Sequence, residues 1–212
     1  MSHLMLQYGA RVLFQGDSIT DAGRSREHDD QLGGGYANMI AAWLSARYPG
    51  RNMTFLNRGI SGNRIYDLEQ RWSEDCIDLE PDWVSILIGI NDTWRYFDSG
   101  TDSPVAEFEA CYRRLLDRVK EESGAGLILL EPFVLPTPPD RVNWRANLDP
   151  RIDAVRRIAR DYQAILLPLD GIFSAAATQR DPAFWTPDGV HPSQAGHALI
   201  SQAWIHAIEV TG

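Results

Sequence analysis

Two short segments of this chain hold residue types suited to acyl transfer. Ser18 follows Gly16-Asp17 at the end of an apolar run, and His191 lies three residues after Asp188 in Asp188-Gly189-Val190-His191-Pro192. A serine hydroxyl is a weak nucleophile until a base takes its proton as it attacks, and an imidazole, with a pKa of about 6.5, does this near neutrality. The imidazole needs an acceptor on its other nitrogen. Asp188, one short turn away, supplies it without long-range chain closure. The tetrahedral intermediate then requires hydrogen-bond donors fixed in advance around its oxyanion. The backbone N–H groups of Ser18 and Gly62 and the side-chain amide of Asn91 provide them. Gly62 suits the role because it has no side chain to block a substrate oxygen and tolerates unusual backbone angles. The expectation is therefore Ser18 as nucleophile, His191 as base, Asp188 as its orienting acid, and Ser18, Gly62 and Asn91 as an oxyanion hole.

These residues work together only if the chain brings them to one place. Arg11–Gln15 reads as a strand stopped by Gly16-Asp17-Ser18, Thr20–Gly35 as a long polar loop, and Tyr36–Tyr48 as a helix stopped by Pro49-Gly50. The pattern repeats, with Met53–Leu56 a strand, Asn57–Asn63 a loop and Ile65–Leu79 a helix. Trp83–Ile88 is a nearly continuous apolar run, as expected of a strand covered on both faces, and Gly89–Asp92 follows it as a loop. Val105–Val119 reads as a helix, Gly126–Leu130 as a strand, Asp153–Tyr162 as part of a helix and Ile165–Leu169 as a fifth strand. Gln194–Ile208 reads as a last helix capped by Ser193. Alternating strands and helices imply an α/β fold with a parallel sheet whose ligands sit at the carboxyl ends of the strands, where Ser18, Gly62 and Asn91 fall. Glu131–Pro150, rich in proline and containing Trp144 and Arg145, reads as a rim over that site.

Four segments, Gly16-Asp17-Ser18-Ile19-Thr20, Gly59-Ile60-Ser61-Gly62-Asn63, Gly89-Ile90-Asn91-Asp92 and Asp188–Pro192, resemble in order the motif blocks of the SGNH (GDSL) hydrolases. Asn57–Trp72 and Pro81–Asp98 look more narrowly like the intracellular acetylxylan esterases of that family. The resemblance implies a flavodoxin-like three-layer α/β/α sandwich with a central five-stranded parallel sheet, one domain over 1–212, and the same triad and oxyanion hole. It also implies a homo-oligomer and no cofactor. Ile19-Thr20 departs from the family's usual leucine without touching the nucleophile. The segments Arg24–Gly35 and Pro132–Pro150 match least, and acyl-group and alcohol selectivity is expected to reside there.

Other polar residues have plainer readings. Ser61 is the rival nucleophile but sits in the oxyanion block, so it is read as a loop hydrogen-bonder; His197 has Gln194, not an acid, three residues before it. Asp17 and Asp92 are expected to brace their own loops, and His28 to lie in a solvated charged loop. Trp94, Tyr96, Trp144 and Trp185 lie in or near loops where aromatic faces can pack on a sugar ring, Trp94 and Trp185 being the substrate-binding candidates, and no metal site is assigned. The chain has 212 residues, a formal charge of −9, 44% hydrophobic and 23% charged residues, a globular composition. Lys120 is the only lysine, so no polybasic patch favours nucleic acid or an anionic membrane. Cys76 and Cys111 form no ligand or disulfide pattern. A cytoplasmic serine esterase is expected, removing short acyl groups, acetyl above all, from carbohydrates such as xylo-oligosaccharides. A lipase, thioesterase or aryl esterase with the same triad is the alternative, followed by a divalent-metal phosphoesterase using Asp17, Asp92, Asp188 and His191, and by a sugar-binding protein without catalysis.

Overall fold

The structure, a computed structural model, describes residues 2–211. In chain order its elements are β1 (Ser2–Leu4), β2 (Arg11–Gly16), α1 (Ser18–Asp21), α2 (Tyr36–Arg47), β3 (Thr54–Asn57), α3 (Ile65–Gln70), α4 (Trp72–Asp75) and β4 (Trp83–Leu87). They continue with α5 (Ile90–Ser99), α6 (Val105–Arg118), β5 (Gly126–Leu130), α7 (Arg145–Asp161), β6 (Ile165–Leu167), α8 (Leu169–Ala177), α9 (Pro182–Trp185), α10 (Gln194–Ile208) and β7 (Glu209–Thr211). The five central strands are parallel, in the order β3-β2-β4-β5-β6. Relabelled by sequence this is 2-1-3-4-5, the flavodoxin-like order. The order reverses between β2 and β4, so the crevice lies beyond the carboxyl ends of those two strands.

Alternation along the strands builds a core on each face. Val12 and Phe14 of β2, and Ile128 and Leu130 of β5, join one cluster with α2, α8 and α10, whereas Leu13, Val84, Ile86, Leu127 and Leu129 join another with α3, α6 and α7. All of them are buried, which is why these strands read as apolar runs. Two buried indoles tie layers together, Trp204 Nε1 donating to Ser85 Oγ at 3.0 Å and Trp72 Nε1 donating to the Leu115 carbonyl at 3.1 Å.

Several boundaries differ from those expected. Ile65–Leu79 is not one helix but α3, α4 and a 3-10 turn over Ile77–Leu79, broken where Arg71 (φ −114°) leaves helical geometry and its guanidinium turns to Asn63 and Asp75. Gly89–Asp92 is not a loop: Gly89, at φ +124°, ends the strand segment, and helix α5 begins at Ile90. The expected rim to Pro150 is shorter, because Pro139–Trp144 forms a 3-10 turn and α7 starts at Arg145, running through Pro150. Proline there removes one helical hydrogen bond, but Leu148, Ile152, Val155 and Ile158 are buried against the sheet and hold the helix in place. Leu169, read as strand, starts α8, and the pairing of β1 with β7 had no clear signal.

Candidate active site

Ser18 is placed by a turn that admits only glycine at its start. Gly16, at φ +155°, lies so close to the next strand that an added Cβ would stand 2.3 Å from the Leu87 carbonyl oxygen and 2.4 Å from Thr20 Oγ1. Asp17 caps the short helix α1, its Oδ1 accepting the Ile19 N–H at 3.0 Å, and Ser18 is the first helical residue. A first-turn N–H has no intrahelical acceptor, so the Ser18 N–H is available to a ligand. The loop after β3 is tied to this turn. The Ile60 N–H donates to the Gly16 carbonyl at 3.0 Å, Asn57 Nδ2 donates to the Thr20 carbonyl at 2.7 Å, and a Cβ on Gly59 would stand 2.4 Å from the Asp21 nitrogen. Asp21, buried, accepts the Ser61 N–H at 3.0 Å, the Ser61 hydroxyl at 2.9 Å and Arg26 at 2.6 Å. Ser61 is thus held by a carboxylate, while Ser18 is held by an imidazole.

Ser18 Oγ is 2.8 Å from His191 Nε2, and His191 Nδ1 is 2.6 Å from Asp188 Oδ2. Asp188 Oδ1 also accepts the Val190 N–H at 3.0 Å and the His191 N–H at 2.7 Å, so both carboxylate oxygens are engaged. Partial burial pushes Asp188 upward, but the hydrogen bonds from His191 and Val190 outweigh it and hold the carboxyl at about 2. The same partner raises His191: the bond to Asp188 favours imidazolium more than half-burial disfavours it. With the proton on Nδ1 facing Asp188, Nε2 is left as the acceptor for the Ser18 hydroxyl. Gly189 has φ +85°, and a Cβ there would meet the Thr137 carbonyl oxygen at 2.3 Å and the Leu135 carbonyl oxygen at 2.6 Å. Leu135 N–H donates to the Gly189 carbonyl at 2.9 Å, so the rim segment is seated on the Asp188–His191 turn.

Gly62 adopts φ +85°, and among the described residues a Cβ there would meet nothing nearer than Arg95 Nη2 at 3.8 Å. Asn91 stands in the first turn of α5, and its Nδ2 donates to the Asn63 carbonyl at 3.1 Å, which fixes the amide beside the Gly62 loop. Asp92 does not brace its own loop as expected. Fully buried, it accepts the Ile65 N–H at 3.3 Å and the Ser103 hydroxyl at 3.1 Å, joining α5 to α3 and to the segment before α6. Burial pushes it to about 6, against the pull of Arg151. Asp17, also fully buried, is pushed up to about 7 by burial, and its Oδ2 has no hydrogen-bond partner among the described residues. Among the described residues no group of three or more His, Cys, Asp and Glu side chains is placed to hold a metal ion.

The other candidates separate clearly. His197 Nδ1 accepts the Tyr36 N–H at 3.2 Å, where it serves the start of α2, and burial, with His191 nearby, lowers its pKa to about 4. Trp94 packs at 5.7 Å from the His191 ring. Trp185 does not join it: its indole donates to the Ala176 carbonyl at 3.1 Å and packs on Phe184, binding α9 to α8. Trp144 is buried, with Phe97 stacked at 5.4 Å and the Arg141 guanidinium at 3.9 Å, so it has no face to offer a sugar. Arg141 is the residue that sequence reasoning missed. Its guanidinium also lies 4.9 Å from the Trp94 ring, and its Nε donates to the Asp188 carbonyl at 3.4 Å. No motif marks it, because its role depends on the rim's path over the acid–base turn.

Known proteins resemble this one over most of the chain. The model of the GDSL-like lipase/acylhydrolase family matches residues 14–199. An acetylxylan esterase from Geobacillus stearothermophilus is 36% identical over 208 residues, 94% of each chain. The crystal structure of an acetylxylan esterase from the same organism superposes with a TM-score of 0.90 at 35% identity over 98% of both chains. A GDSL-like lipase structure from Parabacteroides merdae gives a TM-score of 0.92 at 34% identity, over 96% of this chain and 97% of that one. Solved catalytic mutants of the Geobacillus esterase have a serine, a histidine or an aspartate replaced by alanine.

Proposed function

The chain belongs to the GDSL-like lipase/acylhydrolase family and is a carboxylic ester hydrolase; from that premise we propose that it removes short acyl groups, acetyl above all, from carbohydrate esters such as acetylated xylo-oligosaccharides, by way of an acyl-enzyme on Ser18. The observation that carries the reading is the unbroken chain of hydrogen bonds from Ser18 Oγ through both His191 nitrogens to Asp188, at 2.8 and 2.6 Å. As Ser18 Oγ attacks the ester carbonyl, its proton passes to His191 Nε2, and the imidazolium is stabilised by the Asp188 carboxylate. The carbonyl oxygen, now negative, accepts from the Ser18 and Gly62 N–H groups and from the second amide proton of Asn91. His191 returns the proton to the departing sugar oxygen and then takes one from water, which releases the acid and restores the hydroxyl. Nothing in this scheme requires a cofactor.

The carbohydrate assignment draws on the similarity to an acetylxylan esterase and on the Trp94 ring beside His191. A second reading, an esterase or lipase for longer acyl chains, is favoured by one feature. A largely apolar cleft of about 280 Å³, lined by Val134, Leu135, Pro136, Val142 and Ala177 with Arg141, Arg145 and Ser174, includes the rim residue Arg141. Release of acid from acetylated xylo-oligosaccharides and from p-nitrophenyl esters of rising chain length decides between them. The proposal expects turnover to be greatest with acetyl and lost in Ser18→Ala; a maximum at eight carbons or more would favour the second reading instead.

A further inference from the structure

A second cleft adjoins the site across Trp94. A cleft of about 240 Å³ is lined by Trp94, Phe97, Asp98, Asp140, Arg141, Asn143 and Trp144. Trp94 is the wall it shares with His191. In the proposed mechanism His191 Nε2 protonates the departing oxygen, so the alcohol leaves beside the His191 ring, which Trp94 borders at 5.7 Å.

The lining has the chemistry of a hydroxylated ring site. Phe97 is 41% exposed and lines the cleft, stacked on buried Trp144 and packed with the Tyr96 ring at 5.2 Å, so it presents part of an aromatic ring to the cleft. The Arg141 guanidinium packs on Trp144 at 3.9 Å and on Trp94 at 4.9 Å, and the side chain makes one hydrogen bond, by Nε, and no ion pair among the described residues. Its terminal N–H groups remain as donors. The Asp140 carboxylate and the Asn143 amide are exposed and without a side-chain hydrogen bond among the described residues, which adds acceptors and further donors. The charges balance: Asp98 is paired with Arg95 at 2.5 Å, and Asp140 offsets Arg141. A neutral ligand with alternating donors and acceptors fits such a lining, whereas an anionic one would face Asp140. The volume falls below the range of roughly 300–1,000 Å³ typical of drug-sized ligands, enough for a single ring.

We propose that this cleft is a subsite for one neutral sugar unit of the leaving alcohol, bonded to the unit that carries the acyl group, with Phe97 as stacking face and Asp140, Arg141 and Asn143 as hydrogen-bonding groups. This rests on the esterase reading and makes the enzyme one for oligosaccharides over monosaccharides. The test compares kcat/KM for mono-acetylated xylose, mono-acetylated xylobiose and p-nitrophenyl acetate in the wild type, Phe97→Ala and Asn143→Ala. The wild type should favour the disaccharide over the monosaccharide by roughly tenfold, and each variant should lower the ratio of disaccharide to p-nitrophenyl acetate turnover by about three- to tenfold, the worth of one net contact. Equal turnover of the two sugars in the wild type, or an unchanged ratio in both variants, overturns the subsite. Turnover of p-nitrophenyl acetate with none of either sugar overturns the carbohydrate reading itself. A binding readout stands apart from catalysis. In Ser18→Ala, xylobiose without acetyl should perturb the NMR side-chain amide signals of Asn143, and no perturbation at saturating sugar would overturn the subsite.

Discussion

Replacing Gly189 by alanine tests whether the acid–base turn is held by the rim. The backbone there has φ +85°, a region that costs a residue with a side chain about 1–3 kcal/mol. The new Cβ would also stand 2.3 Å from the Thr137 carbonyl oxygen and 2.6 Å from that of Leu135, both main-chain atoms that cannot rotate aside. Overpacking of this kind costs about 1–3 kcal/mol more. The sum, about 2–6 kcal/mol, can be met in two ways. If the turn stays docked the whole penalty falls on the fold, and Tm drops by roughly 4–24 °C at about 2–4 °C per kcal/mol for a chain of this size. If the turn lifts away, Tm falls less, but His191 loses its 2.8 Å approach to Ser18, and a displacement of about 1 Å costs about 10²-fold in kcat. Gly100→Ala is the control, because Gly100 also has positive φ, +66°, but a Cβ there meets nothing within 4 Å. Thermal melts and p-nitrophenyl acetate kinetics of both variants decide the matter. Gly189→Ala with Tm and kcat no more affected than in Gly100→Ala would refute the reasoning.

Asn91→Ala, which removes one proposed oxyanion donor, should lower kcat by about 10²–10³ with KM little changed, measured on p-nitrophenyl acetate. The base must be neutral to act, and Asp188 raises its pKa, so kcat/KM should rise with pH through an apparent pKa above about 6.5; in Asp188→Asn that pKa should move down, as a pH series on both proteins would show. Asp17 carries the opposite sign from an ordinary paired carboxylate. Its folded pKa of about 7 lies above the unfolded value of 3.8, so the stability it allows is complete below the unfolded value and is lost as pH rises toward the folded one. Asp17→Asn keeps an oxygen to accept the Ile19 N–H and removes the charge, so its Tm advantage over wild type should be larger at pH 8 than at pH 4, as melts at the two pH values would reveal.

The parts of the site nearest the strand ends were legible in the sequence because their constraints are local. Gly16 and Gly189 are needed where backbone passes backbone, Asp188 reaches His191 within one turn, and Ser18 follows a strand that alternates visibly. Helix breaks were less legible. The division of Ile65–Leu79 follows from Arg71 turning inward to Asn63, a contact between segments that periodicity cannot register. The persistence of α7 through Pro150 likewise depends on burial of Leu148 and Ile152 against a distant sheet. Trp94 and Trp185 looked alike in sequence, both aromatic and near loops; one borders His191 and the other binds the Ala176 carbonyl, a difference set by tertiary packing. Arg141 could be found only once the rim was seen lying on Asp188 and Gly189.

The nucleophile can be identified chemically. An organophosphate fluoride added to the native enzyme should abolish turnover with one equivalent bound, and a peptide map should place the adduct on Ser18. Adduct on Ser61, or complete inactivation with Ser18 unlabelled, would contradict the mechanism at its root.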